Sequence, residues 1–128
     1  MLEMSLIKHC SPTLASLKTA NLFSYSYSTE RGLRKSIRYW NEQMSCKGIR
    51  LTVMKKKDNR ALIYVCRISK LESVLANEDV AAFLKRYGYD GMVVDSALRR
   101  LKKRLCSSEE FPHEIGIFLG YPLEDVTG

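Results

Sequence analysis

Glycine and proline are scarce in this 128-residue sequence, with seven and three residues respectively. This scarcity excludes a collagen-like fibre and argues against an intrinsically disordered chain. No stretch approaches the roughly 18 consecutive apolar residues that indicate a membrane span. The first residues, which include Glu3, lack the long apolar run of a secretory signal. We therefore expect a cytoplasmic protein that does not associate with a membrane.

The four cysteines, at positions 10, 46, 66 and 106, form neither a C-x-x-C pair nor a zinc-binding pattern. We therefore expect no metal site and no cofactor, and we expect all four cysteines to be reduced thiols. Cys66 ends an apolar run, which predicts a core position. Cys46 and Cys106 close predicted helices, where the local field disfavours a thiolate.

Positive charge is in excess, because 21 Lys and Arg residues face 14 Asp and Glu residues, for a formal net charge of +7. Such a balance is compatible with a nucleic acid, an anionic lipid or an acidic protein as partner. Hydrophobic residues make up 45% of the chain. A chain of this length buries enough surface to fold without a disulfide or a structural metal ion. We expect one domain over residues 1–128.

The first part of the chain predicts a short helix, a strand and a longer helix. Proline favours the first turn of a helix, so a helix is expected over about 12–20. Aromatic residues alternate with serines over 22–28, which predicts a strand, with an extended loop as the alternative. Ser28 or Thr29 then predicts the N-cap of a helix that ends near Cys46.

The middle of the chain predicts a β-hairpin. Apolar and polar residues alternate over 49–54, and a nearly continuous apolar run over 60–66 is typical of a well-buried strand. The polar stretch 55–59 between them predicts the turn. The expected fold class is α+β, with one hairpin packed against four or five helices and a further strand as an alternative.

The second half predicts mainly helices. Residues 69–72 have the spacing of a capping box, and Asn77 predicts the cap of a following helix. A third helix is expected over 91–106 from its apolar period. The tail over 112–120 predicts a short helix, with a strand over 115–119 as the alternative.

Cys10 has the setting that most suggests chemistry. It directly precedes the predicted helix start at Pro12, and the free N–H groups of a helix N-terminus stabilise a thiolate. His9 as a cation would add to this effect. Thr13 stands where a resolving cysteine would stand in a C-x-x-T redox motif. The alternative is that Cys10 packs as a small hydrophobic residue at a helix cap.

His113 is the second histidine of the chain. Thiol hydrolases pair a cysteine nucleophile at a helix N-terminus with a histidine base that is distant in sequence. Cys10 and His113 are therefore a candidate dyad. The alternative is that His113, beside Pro112, belongs to a helix start and has a packing role. No second histidine follows at the spacing of a zinc protease motif.

Four basic residues on the predicted third helix form a candidate surface for phosphates. The alternative is a solvated helix face whose long side chains cover apolar surface. No aromatic residue interleaves the basic positions, so base stacking is not indicated, and we expect no measurable binding to DNA or RNA at low salt. The four candidate residues are Arg99, Arg100, Lys102 and Lys103.

Two long end motifs and four shorter strings together carry a family resemblance. They are 9–14 (HCSPTL), 17–24 (LKTANLFS), 40–41 (WN), 47–49 (KGI), 61–65 (ALIYV) and 111–126 (FPHEIGIFLGYPLEDV). On these strings the chain resembles an uncharacterised bacterial family from Gram-positive anaerobes, the domain-of-unknown-function family with catalogue number 3793.

This resemblance covers nearly the whole chain and implies no established activity, cofactor or partner. Members of that family are usually longer, so we expect this chain to be a short or a truncated member. The resemblance marks Thr13 and Glu114 as motif positions, and we take them as candidate ligand-binding residues.

The sequence is compatible with three functions. The first is a non-catalytic binding or regulatory module with a protein partner, which the absence of a complete catalytic constellation favours. The second is a thiol-dependent enzyme or redox protein that uses Cys10. The third is a nucleic-acid-associated protein that uses the basic helix.

Overall fold

A three-stranded antiparallel sheet separates two layers of helices in this structure, which is a computed structural model. Its strands are β1 (Ala20–Ser26), β2 (Ile49–Lys57) and β3 (Arg60–Arg67), in the spatial order β1-β3-β2. The near-continuous apolar run of β3 fits its central position, because both faces of that strand are covered. The structure describes residues 2–15, 18–89 and 93–127.

The predicted hairpin is confirmed, but its turn is shorter than expected. Only Asp58 and Asn59 form the turn, and both have positive φ angles, of 52° and 60°, as a two-residue hairpin turn requires. The preceding lysines therefore continue β2. Val53 pairs with Ile63 and Lys55 pairs with Leu62, so Met54 is an extra residue that forms a bulge.

Helices cover both faces of the sheet. The first layer holds α1 (Leu2–Leu14) and α2 (Glu30–Met44), and a 3-10 turn follows α2. The second layer holds the remaining helices. These are α3 (Ile68–Ala76), α4 (Glu78–Lys85), α5 (Val94–Cys106), α6 (Ile115–Leu119) and α7 (Leu123–Thr127). The α+β class is confirmed, with seven α-helices in the described residues instead of four or five.

The predicted helix over 12–20 is wrong, because α1 begins at Leu2 and ends at Leu14 with Pro12 inside it. Leu2, Leu6 and Cys10 are buried at a spacing of one helical turn, and this apolar face stabilises the helix. Pro12 lies close to the end, where its missing N–H removes only one hydrogen bond of the last turn.

Three helix caps were predicted, and two are confirmed. The Thr29 hydroxyl accepts a hydrogen bond from the Gly32 N–H, and Asn77 Oδ1 accepts from the Asp79 and Val80 N–H groups. The capping box over 69–72 is wrong, because α3 already begins at Ile68 after an uncapped Arg67.

The other predicted elements are largely confirmed. The stretch 22–28 contributes to a strand, β1, and the tail forms a helix, α6, rather than a strand. Helix α6 ends at Leu119 and is capped by Gly120, whose φ angle is 93°. The predicted start of the third helix at Gly91 lies outside the described residues, and α5 is described from Val94.

Candidate binding groove

Cys10 lies inside α1, so its predicted place before a helix N-terminus is wrong. Its side chain is fully buried in the layer between α1, α2 and the sheet. This burial raises the pKa of the Cys10 thiol to about 12, and the nearby Lys18 lowers it by a smaller amount. The thiol is therefore protonated at neutral pH, and the structure gives no support for Cys10 as a nucleophile.

The two histidines are exposed. The His9 ring stacks on the Phe23 ring, with centroids 5.4 Å apart. His113 precedes Glu114, whose carboxylate lies against α5 on the other side of the sheet. Within residues 2–15, 18–89 and 93–127, no hydrogen bond joins either histidine to Cys10, so the structure does not form the predicted dyad.

Thr13 is fully buried and its hydroxyl is already used. Thr13 Oγ1 donates a hydrogen bond of 2.7 Å to Asn21 Oδ1, which holds α1 against β1. Arg67 donates to the carbonyls of Thr13 and Leu14 at 2.8 and 2.6 Å, so it covers the end of α1. These contacts give Thr13 a structural role, because its hydroxyl is bonded within the protein and does not face solvent.

Glu114 is a fully buried carboxylate. Tyr89 Oη donates to Glu114 Oε2 at 2.9 Å, and the Arg104 guanidinium donates to both carboxylate oxygens. The hydrogen bond with Glu114 raises the pKa of Arg104, while burial is the main cause that raises the pKa of Tyr89. The carboxylate is thus satisfied within the protein, and it ties α6 to α5.

The basic residues predicted on α5 divide into two groups. Arg99, Lys102 and Lys103 are exposed. Arg100 is half-buried, donates through Nε to the Tyr87 carbonyl at 3.0 Å, and lies so close to Gly88 that a Cβ there would be 2.7 Å from its Nη2. Arg100 therefore stabilises the end of α4, and only the exposed three remain candidates for ligand contact.

The exposed basic residues of α5 meet those of α2 and β2 along the edge of the sheet, where β2 is the outer strand. Two adjoining cavities, of about 320 and 410 Å³, lie there and share Lys102, and together we call them the basic groove. The cavity on the α2 side is lined by Leu33, Arg34, Ile37, Arg38, Val53, Lys56 and Lys102. The cavity on the α5 side is lined by Arg50, Thr52, Asp95, Leu98, Arg99 and Lys102.

Positive charge dominates the basic groove. Arg50 pairs with Asp95, and Lys56 Nζ lies 2.9 Å from Glu30 Oε2. Both pairs are largely exposed, so exchanging either carboxylate for that of a ligand changes the free energy little. Among the described residues the other groove cations form no ion pair within 4.0 Å. Those cations are Arg34, Arg38, Arg99 and Lys102.

Part of the backbone edge of β2 is covered next to the groove. Asn41 on α2 accepts a hydrogen bond from the Leu51 N–H at 2.7 Å and donates to the Leu51 carbonyl at 3.0 Å. The bulge at Met54 then interrupts the edge further along. The edge beside the groove therefore does not present an uninterrupted row of free backbone groups.

Sequence reasoning found Arg99 and Lys102 but missed the groove residues of α2 and β2. Arg34 and Arg38 are four residues apart, which places them on the same side of α2, and this spacing was the available signal. The proximity of these two arginines to Lys102 depends on the sheet that lies between α2 and α5. Local sequence therefore does not indicate it.

Two kinds of feature are absent from the described residues. No group of three or more His, Cys, Asp or Glu side chains is close enough to hold a metal ion. No helix there combines the length and the apolar character that crossing a membrane requires.

The chain was compared with known protein families, curated proteins and solved structures. A family model described as "Protein of unknown function (DUF3793)" matches residues 6–128. No curated protein and no solved structure matches the chain significantly.

Proposed function

Because the chain belongs to the DUF3793 family, whose description states no function, we propose its function from its own surface. We propose a non-catalytic binding module that recognises an anionic partner through the basic groove. The observation that carries this proposal is the position of Lys102, which lines both groove cavities and so joins the cations of α2 to those of α5.

Electrostatics favour this use of the groove. Cations that line a concave surface concentrate anions near it, because the low-dielectric walls focus the field. Arg34, Arg38 and Lys102 are spread over two helices on opposite layers of the sheet, so an anionic partner would contact both layers at once. Such binding is expected to weaken as salt shortens the screening length to about 10 Å at 0.1 M.

The non-catalytic part of the proposal is supported by the state of the candidate reactive groups. Cys10 is buried with a raised thiol pKa, and Glu114 is saturated by Arg104 and Tyr89. Neither group faces the groove. A reaction at the Cys10 thiol would need the first layer of helices to open.

The experiment uses two double variants of α2 that change the charge equally. Arg34→Glu with Arg38→Glu reverses two groove cations. Arg31→Glu with Lys35→Glu reverses two exposed cations of the same helix, at the same spacing, that do not line the groove. The probes are polyglutamate and a short DNA duplex, each titrated into isotope-labelled protein at low salt and followed by amide chemical shifts.

We expect at least one probe to shift amides around the groove, with about tenfold weaker binding in the groove variant. That loss corresponds to about 1.4 kcal/mol for two charge reversals. The control variant is expected to bind within about twofold of the wild type, and circular dichroism verifies that both variants fold. Failure of both probes to bind, or equal losses in the two variants, would overturn the proposal.

We also propose that the protein works in the bacterial cytoplasm. All four cysteines are free, and Cys46 and Cys106 are exposed, which suits a reducing compartment. Thiol counting on protein released from freshly lysed cells of its host is expected to give four thiols, and recovery of a disulfide would contradict this location.

A further inference from the structure

We infer that the partner is an acidic protein segment that also carries an aliphatic side chain. This inference rests on the proposed function and names the class of ligand for the same groove. The α2-side cavity combines two chemistries. Its floor holds the half-buried Ile37 and Val53, and its rim holds cations that include Arg34 and Arg38.

The aliphatic floor distinguishes this cavity from a plain cationic surface. Ile37 and Val53 keep part of their apolar surface in contact with water, and an incoming aliphatic side chain would remove it from water. A volume of about 320 Å³ gives room for such a side chain. The cations of the rim lie on either side, where flanking carboxylates of the same segment would reach them.

A protein segment fits the groove better than a nucleic acid does. No aromatic residue lines either cavity, so the groove offers no stacking platform for bases. Because Asn41 covers the backbone of Leu51 and the Met54 bulge interrupts the β2 edge, we expect the segment to be held by its side chains, as an amphipathic helix is held in a groove.

The test compares three labelled probes by fluorescence anisotropy. The first is a short peptide in which leucines recur at helical spacing among glutamates. The second is the same peptide with serine in place of each leucine, so that its charge is unchanged. The third is a short DNA duplex.

We expect the leucine peptide to bind about tenfold or more tightly than the serine peptide, because burying one aliphatic side chain contributes about that factor. Val53→Thr keeps a β-branched residue of similar shape and adds a hydroxyl to the floor. We expect it to reduce the preference for the leucine peptide over the serine peptide, because the hydroxyl makes the floor less apolar. Arg34→Glu with Arg38→Glu should weaken both peptides.

The other outcomes separate this inference from the proposed function. Equal binding of the two peptides at the groove would overturn the inference and leave an anionic ligand in place. Tighter binding of the duplex than of the leucine peptide, with loss in the Arg34→Glu and Arg38→Glu variant, would overturn it in favour of a nucleic acid. Failure of all three probes to bind at low salt would overturn both proposals.

Discussion

Replacing Arg104 by methionine tests whether the buried Glu114 carboxylate depends on its guanidinium partner. The Glu114 side chain is 0% exposed and that of Arg104 is 28% exposed. In the variant, one hydrogen bond from Tyr89 remains on the carboxylate. Removing one partner of a buried ion pair costs about 3–5 kcal/mol, because a charge is left buried without compensation. Since Arg104 is partly in water, we expect a loss of about 3 kcal/mol.

A double-mutant cycle separates this coupling from packing. Glu114→Gln removes the charge but keeps the shape of the side chain. The variant with both changes contains no uncompensated charge, so we expect its loss to be smaller than the sum of the two single losses by at least about 1 kcal/mol. Lys103→Met is the matched control, because Lys103 is an exposed neighbour on α5. It should change stability by less than about 0.5 kcal/mol.

The assay is urea unfolding followed by circular dichroism and by the fluorescence of Trp40, the single tryptophan. Coincident transitions by the two probes establish that unfolding is two-state. A loss in the free energy of unfolding below about 1 kcal/mol for Arg104→Met would mean that this ion pair stabilises the fold no more than an exposed ion pair does. That result, or simple additivity in the cycle, would refute the argument that Glu114 requires Arg104.

Further predictions concern the thiols and the glycines. Alkylation followed by mass spectrometry should label the exposed Cys46 well before the buried Cys10 in native protein; equal rates would contradict the burial of Cys10. Burial raises the pKa of Cys10 from 9.0 to about 12, so the folded state keeps a proton that the unfolded state loses. The free energy of unfolding should therefore fall as pH rises from about 9 to 12, and a flat titration of urea midpoints there would contradict this. Gly120→Ala should cost more stability than Gly48→Ala: both positions have positive φ, but only at Gly120 does a Cβ meet Thr19 Oγ1, at 2.8 Å. Equal melting temperatures would refute that steric argument.

Local sequence was sufficient to predict those structures that depend on contacts between residues close together in the chain. Thr29 and Asn77 cap their helices because a side-chain oxygen reaches an N–H group two or three residues away. The alternation in β2 and the apolar run of β3 predicted the hairpin, since both strands bury apolar surface at a period that sequence displays.

The start of α1 was predicted wrongly because tertiary packing outweighed a local sequence preference. Pro12 favours a helix start in isolation. In the folded chain Leu2, Leu6 and Cys10 pack on the sheet, and burial of that face extends the helix backwards through the proline. The predicted setting of the Cys10 thiol was wrong for the same reason, because a helix that begins at Leu2 places Cys10 in the core instead of at a helix N-terminus.

Composition and the periods within single elements were enough to predict the fold class, the hairpin, most helix positions and the excess of positive charge. Which charges act together depends instead on the packing of distant elements. Arg34 reaches the groove from one layer and Lys102 from the other, while Arg104 is withdrawn to neutralise Glu114. Such assignments depend on contacts between residues far apart in the chain, and the sheet that sets those distances exists only after folding.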